Sequence, residues 1–158
     1  MSRSGYTDDN EDPQALGRWR QAVKRSIEGK RGQAMLTELL AALDAMEDKR
    51  LYPGSFATAE GEFCTLGVLG AKRGVKMDDL GDADDCDAEE VGKRFGIAHA
   101  LAAEVMYLND EYAVDEWHWV EVEICGPLRE GWRDQRVRSI RVHNDNHPQE
   151  RWQRMRAW

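Results

Sequence analysis

No stretch of eighteen apolar residues occurs in this chain, so no membrane-spanning helix is expected. The opening residues, Met1 to Asp9, lack an apolar segment, so no secretory signal peptide is expected either. Cysteine is scarce. The three present, Cys64, Cys86 and Cys125, are widely spaced and odd in number, which excludes a disulfide framework. Free thiols in a reducing cytoplasm are the reading that follows. Catalytic signatures are missing too: there is no nucleophile elbow, no phosphate-cradling P-loop and no dinucleotide fingerprint, and Gly67 with Gly70 alone is too short a pattern to count. No catalytic residue, cofactor or metal ligand is therefore assigned.

The chain has 158 residues, enough for one domain with a sizeable core. Its net charge of −8 opposes indiscriminate binding to nucleic acid or an anionic membrane, because such binding is driven by neutralising phosphates. The charge is uneven: residues 116–158 hold eight basic and seven acidic side chains, so the remainder carries −9. The last forty-two residues also hold five of the six tryptophans and eight arginines but no lysine. Trp and Arg dominate protein–protein hot spots, so this tail is either the cap of the core or a docking surface.

Residues 1–12 are polar and acidic and are expected to form a loose arm ahead of a single domain at 13–158. Pro13 suits a first helical turn, and Leu16, Trp19, Val23 and Ile27 follow at helical spacing. Gly29 and Gly32 break this helix from the next, whose apolar stripe is Leu36, Leu39, Leu40, Leu43 and Met46. Residues 55–66 read as a small hairpin turning at Ala59, Glu60 and Gly61. Leu66 to Arg73 reads as a short helix whose Gly67 and Gly70 would admit another backbone closely, with Gly74 closing it. Residues 78–90, with eight acidic and no basic side chains, form a solvated loop leading into a helix start at Asp87, Glu89 and Glu90. Val91, Phe95, Leu101, Val105 and Leu108 then mark two helices joined at Gly96. From Trp117 the period becomes two. His118, Val120, Val122 and Ile124 are expected to face the core and Trp119, Glu121 and Glu123 the solvent. Residues 136–143 read as the return strand, with Arg136 or Arg138 opposite the glutamates. Pro148 opens a last helix containing Trp152 and Met155. The expected fold is α+β and mostly helical, with five or six helices, a short hairpin near 55–66 and a longer one near 117–143.

Several constellations invite a chemical reading, and each has a plainer one. His143 and His147 have metal-ligand spacing, but Asn144 to Asn146 and Pro148 make a polar turn there. Asp82, Asp84 and Asp87 resemble a calcium loop, yet Lys93 stands where the bidentate glutamate belongs. Residues 91–110 faintly follow a helix-turn-helix, but the would-be recognition helix has no Arg or Lys and carries Glu104 and Asp110, so a structural hairpin is expected. Asp110 and Glu111 are paired carboxylates at a helix end, where turn chemistry explains them. Arg18, Arg20, Lys24, Arg25, Lys30 and Arg31, against Glu28 alone, form the one basic stripe; it either meets phosphate or is paired internally.

Ser4 to Tyr6, Gly29 to Ala34, Ala42 to Met46, Gly61 to Gly67, Phe95 to Ala98, Tyr107 to Glu111 and Arg151 to Trp158 occur in that order. The set, spanning nearly the whole chain, resembles an uncharacterised family of small proteins encoded by tailed bacteriophages and prophages. The resemblance implies a phage accessory protein acting in the bacterial cytoplasm and carries no activity or catalytic residue. Three functions are thus expected in descending order. The first is a non-enzymatic protein that binds a bacterial host or defence protein, with Trp119, Glu121, Glu123, Arg136 and Arg138 as its contact set. The second is a nucleic-acid-associated protein using the basic stripe. The third is an enzyme of unrecognised type, with Asp110 and Glu111 or His143 and His147 at its site.

Overall fold

The computed structural model describes residues 13–80, 86–110, 116–123, 137–144 and 147–158. Within them the chain is mostly helical. Six helices occur: α1 (Pro13–Glu28), α2 (Lys30–Ala45), α3 (Thr65–Arg73), α4 (Ala88–Phe95), α5 (His99–Asp110) and α6 (Pro148–Ala157). Two strands, β1 (Glu116–Glu123) and β2 (Val137–Asn144), pair antiparallel between α5 and α6. No helix among the described residues is long and apolar enough to cross a membrane.

The core is organised around α5. Residues 100–106 of this helix are all buried, and α1, α3, α4 and α6 pack against it. Its alanines, Ala100, Ala102 and Ala103, present little bulk, so neighbours approach from several sides at once. A helix enclosed on all sides needs this kind of nearly unbroken apolar surface. Val91, Phe95, Leu101 and Val105 are buried and Leu108 half-buried, as the helical spacing predicts. Gly96, in the left-handed conformation (φ 67°), turns the chain between α4 and α5. Asp87 caps α4 by accepting from the Glu89 amide at 2.8 Å. In α2, Leu39 and Leu43 enter the core but Leu40 is exposed, so the buried stripe is narrower than its composition suggests.

Two close approaches set the helix packing. A β-carbon on Gly67 would lie 1.6 Å from the Phe56 carbonyl oxygen, so only glycine lets α3 rest on that backbone. Gly70 instead meets side chains, those of Met77 and Phe95. The loop ahead of α3 is not the expected hairpin. Residues 55–66 contain one antiparallel bridge, Ala57 with Phe63, around a turn at Gly61 (φ 83°). The reason is the early start of α3: Cys64 already caps that helix, its Sγ accepting from the Gly67 amide at 3.3 Å, which leaves the second arm no length. Cys64 is buried, and burial pushes its thiol up to about 12, so at neutral pH it is an inert cap and not a nucleophile. Cys64 and Cys86 are both free thiols, as expected; Cys125 lies outside the described residues.

Candidate interaction surfaces

Trp119 stands on β1 with 70% of its surface exposed, the most exposed large apolar side chain described. The strand register places it opposite Arg141, Glu121 opposite Ser139 and Glu123 opposite Val137. Ser139 and Arg141 are exposed, while the intervening Ile140, paired with Val120, is half-buried. The ladder therefore has an outer and an inner set of register positions, as the period of two predicts. One part of the expectation needs correction. Arg138 is paired in register with Val122, so it stands directly opposite neither glutamate; the arginine opposite Trp119 is Arg141. A single-residue difference in register exchanges faces, and the imperfect alternation of residues 137–142 left that step undetermined. Arg136 lies outside the described residues.

The tail divides into two parts with different roles. The last helix belongs to the core. Met155 is buried in the core, and Trp152 packs half-buried against it, its indole N–H donating to the Leu43 carbonyl at 3.2 Å. Arg151 is 1% exposed. Its Nε donates to the Asn109 carbonyl at 2.8 Å and its Nη1 to the Leu51 carbonyl at 3.0 Å. Burial lowers its pKa, with Arg154 acting in the same direction and Asp110 in the other. Asn109 is buried as well: its Oδ1 accepts from the Thr65 amide and hydroxyl at 3.0 and 2.7 Å, and its Nδ2 donates to the Tyr52 carbonyl at 3.0 Å. Asp110 Oδ1 accepts from Asn109 Nδ2 at 2.7 Å and from the Gly54 amide at 3.1 Å. This network ties α3, α5, α6 and the 51–54 turn together. It gives Asp110 a structural duty, as turn chemistry suggested; Glu111 lies outside the described residues. Arg151 and Asn109 were missed as structural centres by sequence reasoning, although Arg151 and Met155, four apart, share one helix face.

The other readings separate as follows. Residues 100–106 of α5 are buried, so this helix is not available to enter a DNA groove, which removes the helix-turn-helix alternative. His147 precedes α6 as its N-cap position and is exposed, without a side-chain capping bond. The acidic segment is partly balanced by its neighbour helix: Arg94 pairs with Asp79 and with Glu90 (2.8 Å), and Lys93 with Glu89 (2.8 Å). All six stripe residues, Arg18, Arg20, Lys24, Arg25, Lys30 and Arg31, are exposed.

Glu104 is the most perturbed carboxyl described. It lies on α5 with 8% exposure, its Oε2 has no hydrogen-bond partner, and burial raises its pKa from the usual 4.5 to about 7. A group of this kind marks a functional site when other reactive groups converge on it. Among the described residues no three His, Cys, Asp or Glu side chains gather as a metal site. Its effect is on stability. In the unfolded chain the carboxyl ionises near its ordinary value; folded, it holds its proton to about pH 7. Stability is therefore greatest below the unfolded value, falls as pH rises through this window and stays lowered above it. Glu104→Gln, which cannot ionise, is expected to gain on the parent by up to about 3 kcal/mol between pH 4 and pH 8. Urea unfolding at both pH values measures the difference; parallel pH profiles for parent and variant would remove the role of burial.

Compared with family models, with curated proteins and with solved structures, the chain matches none.

Proposed function

We propose that this chain is a non-enzymatic accessory protein, encoded by a tailed bacteriophage or prophage, that binds a bacterial host or defence protein through the outer face of the β1–β2 ladder. The observation that carries the reading is Trp119, exposed over 70% of its surface on a strand, opposite Arg141 and beside the exposed Ser139. An exposed indole contributes nothing to the core of its own chain. Against a partner it offers a large, rigid contact area, and a neighbouring arginine supplies the polar half of a hot spot. Glu121 and Glu123 follow on the same strand, opposite Ser139 and Val137 in the register. In this reading the fold is α+β, with the antiparallel β1–β2 pair as the recognition element. The free thiols of Cys64 and Cys86 favour action in the bacterial cytoplasm.

The test uses the full chain as bait in lysate of the bacterial host, followed by reconstitution with the purified retained protein. Trp119→Ala is expected to weaken that reconstituted complex by at least about 30-fold, the size of a hot-spot truncation, with an unchanged unfolding midpoint. Equal affinity for parent and variant would refute the assignment of this face.

A further inference from the structure

A second surface, on the helical body, carries a different chemistry. Thirty carboxylates face twenty-two Lys and Arg in this chain, so most cations are expected to have an acidic neighbour. Many do: Arg73 pairs with Glu38 at 2.6 Å, Arg94 with Asp79, Arg156 with Asp44, Lys93 with Glu89. Arg25, Lys30 and Arg31 form no such ion pair among the described residues. Arg25 uses its Nε on the Gln21 carbonyl at 3.2 Å, which leaves its terminal nitrogens to the solvent side. These three line one cleft of about 490 Å³ at the elbow between α1 and α2, together with Ala22, Ser26 and Ala98.

The elbow is rigid for a stated reason. A single residue, Gly29, separates the two helices, its amide bonded to the Arg25 carbonyl at 3.0 Å and its carbonyl to the Gln33 amide at 2.9 Å. A β-carbon on Gly32 would lie 1.8 Å from the Ser26 carbonyl oxygen, so the first turn of α2 rests directly on the last turns of α1. Cations from two helices are thereby held around one opening, where they repel each other until an anion enters. The rest of the stripe is arranged differently. Arg18, seven residues before Arg25, lies along the same flank of α1, whereas Arg20 and Lys24 lie on the other flank, and Lys24 is paired with Glu28 at 3.9 Å.

We propose that this elbow binds the phosphodiester backbone of nucleic acid. The match is one of charge: a polyanion supplies the carboxylate-like partners that the fold withholds from Arg25, Lys30 and Arg31. The cleft presents no aromatic ring for base stacking and no Asn or Gln for base edges, so recognition is of phosphate and not of sequence. The acidic body restricts the contact to this elbow and keeps it weak and strongly salt-dependent. The inference does not depend on the Trp119 face.

Fluorescence anisotropy of the full chain with labelled duplex and single strands, of about twenty nucleotides and two unrelated sequences, tests it across low to physiological salt. Binding should be independent of sequence, with log affinity against log salt sloping by roughly −2 to −3, as expected for about three phosphate contacts. The combined variant Arg25→Gln, Lys30→Gln, Arg31→Gln should lose at least about 10-fold at low salt. Arg20→Gln with Lys24→Gln, on the other flank, should change affinity by less than about 3-fold, and Trp119→Ala not at all. Circular dichroism melting verifies that each variant is folded. No saturable binding at low salt, equal losses from the two sets, or displacement by poly-glutamate as effective as by nucleic acid would each overturn the proposal. The last result would assign the cleft to an acidic protein.

Discussion

Arg151→Ala should unfold at a much lower denaturant concentration than the parent, at a cost of about 3–5 kcal/mol. The side chain is buried to 1% exposure and holds two main-chain carbonyls, Asn109 at 2.8 Å and Leu51 at 3.0 Å. Alanine removes both donors and leaves both carbonyls without them, on top of the volume lost. Arg151→Lys separates geometry from charge. Its ammonium is a point donor and cannot span two carbonyls as the guanidinium fork does, so most of the loss should persist. Arg151→Met, which fills the space without donating, should recover the packing part only. Stability equal to the parent in all three would show that the network contributes nothing net. A domain of this kind has roughly 5–15 kcal/mol in total, so the alanine variant sits near the edge of folding.

Phe95→Ala should be about as damaging, at about 3–5 kcal/mol. The ring is 3% exposed and stacks on Phe56 with centroids 6.4 Å apart. Gly70 leaves room for it: a β-carbon there would already lie 3.2 Å from its Cζ. The same residue's carbonyl accepts from Arg73 Nη1 at 2.8 Å, so the end of α4 is tied to α3 by main chain as well as side chain. A cavity at this position removes contacts from three elements that have little freedom to collapse inward. Phe95→Leu retains most of the apolar volume and should cost less than about 1.5 kcal/mol. Guanidinium unfolding of both variants gives the comparison; an alanine variant at the parental midpoint would mean that the ring is not a core member.

The helices were legible in the sequence because their signals are local. Helical spacing located Val91, Phe95, Leu101 and Val105, and glycine marked the ends at Gly74 and Gly96. The close approach at Gly67 was legible for the same reason, since a glycine inside an apolar helix asks for a backbone neighbour. The exposure of Trp119 followed from a period of two. What failed was long-range. The helix from residue 66 was legible, but the sequence did not show that its cap at Cys64 holds the preceding ladder to one bridge. The strand register is a long-range property, and a step of one residue moves Arg138 away from the glutamates. The partners of Arg151 are 42 and 100 residues away in sequence, beyond any periodicity. Glu104 was read as a deterrent to DNA and not as a buried acid, because a carboxyl in a helix is ordinarily at the surface.

The bond from Arg151 Nε to the Asn109 carbonyl has a consequence for how this chain can change over time. It brings the end of α5 and the start of α6 within one side chain's reach, so the two ends of the intervening segment are anchored close together. A segment closed at its base in this way is a cassette. Its length enters the folding free energy only logarithmically, each doubling adding about 0.6 kcal/mol. The connection between α5 and α6 can therefore lengthen at little cost while the anchor at Arg151 holds.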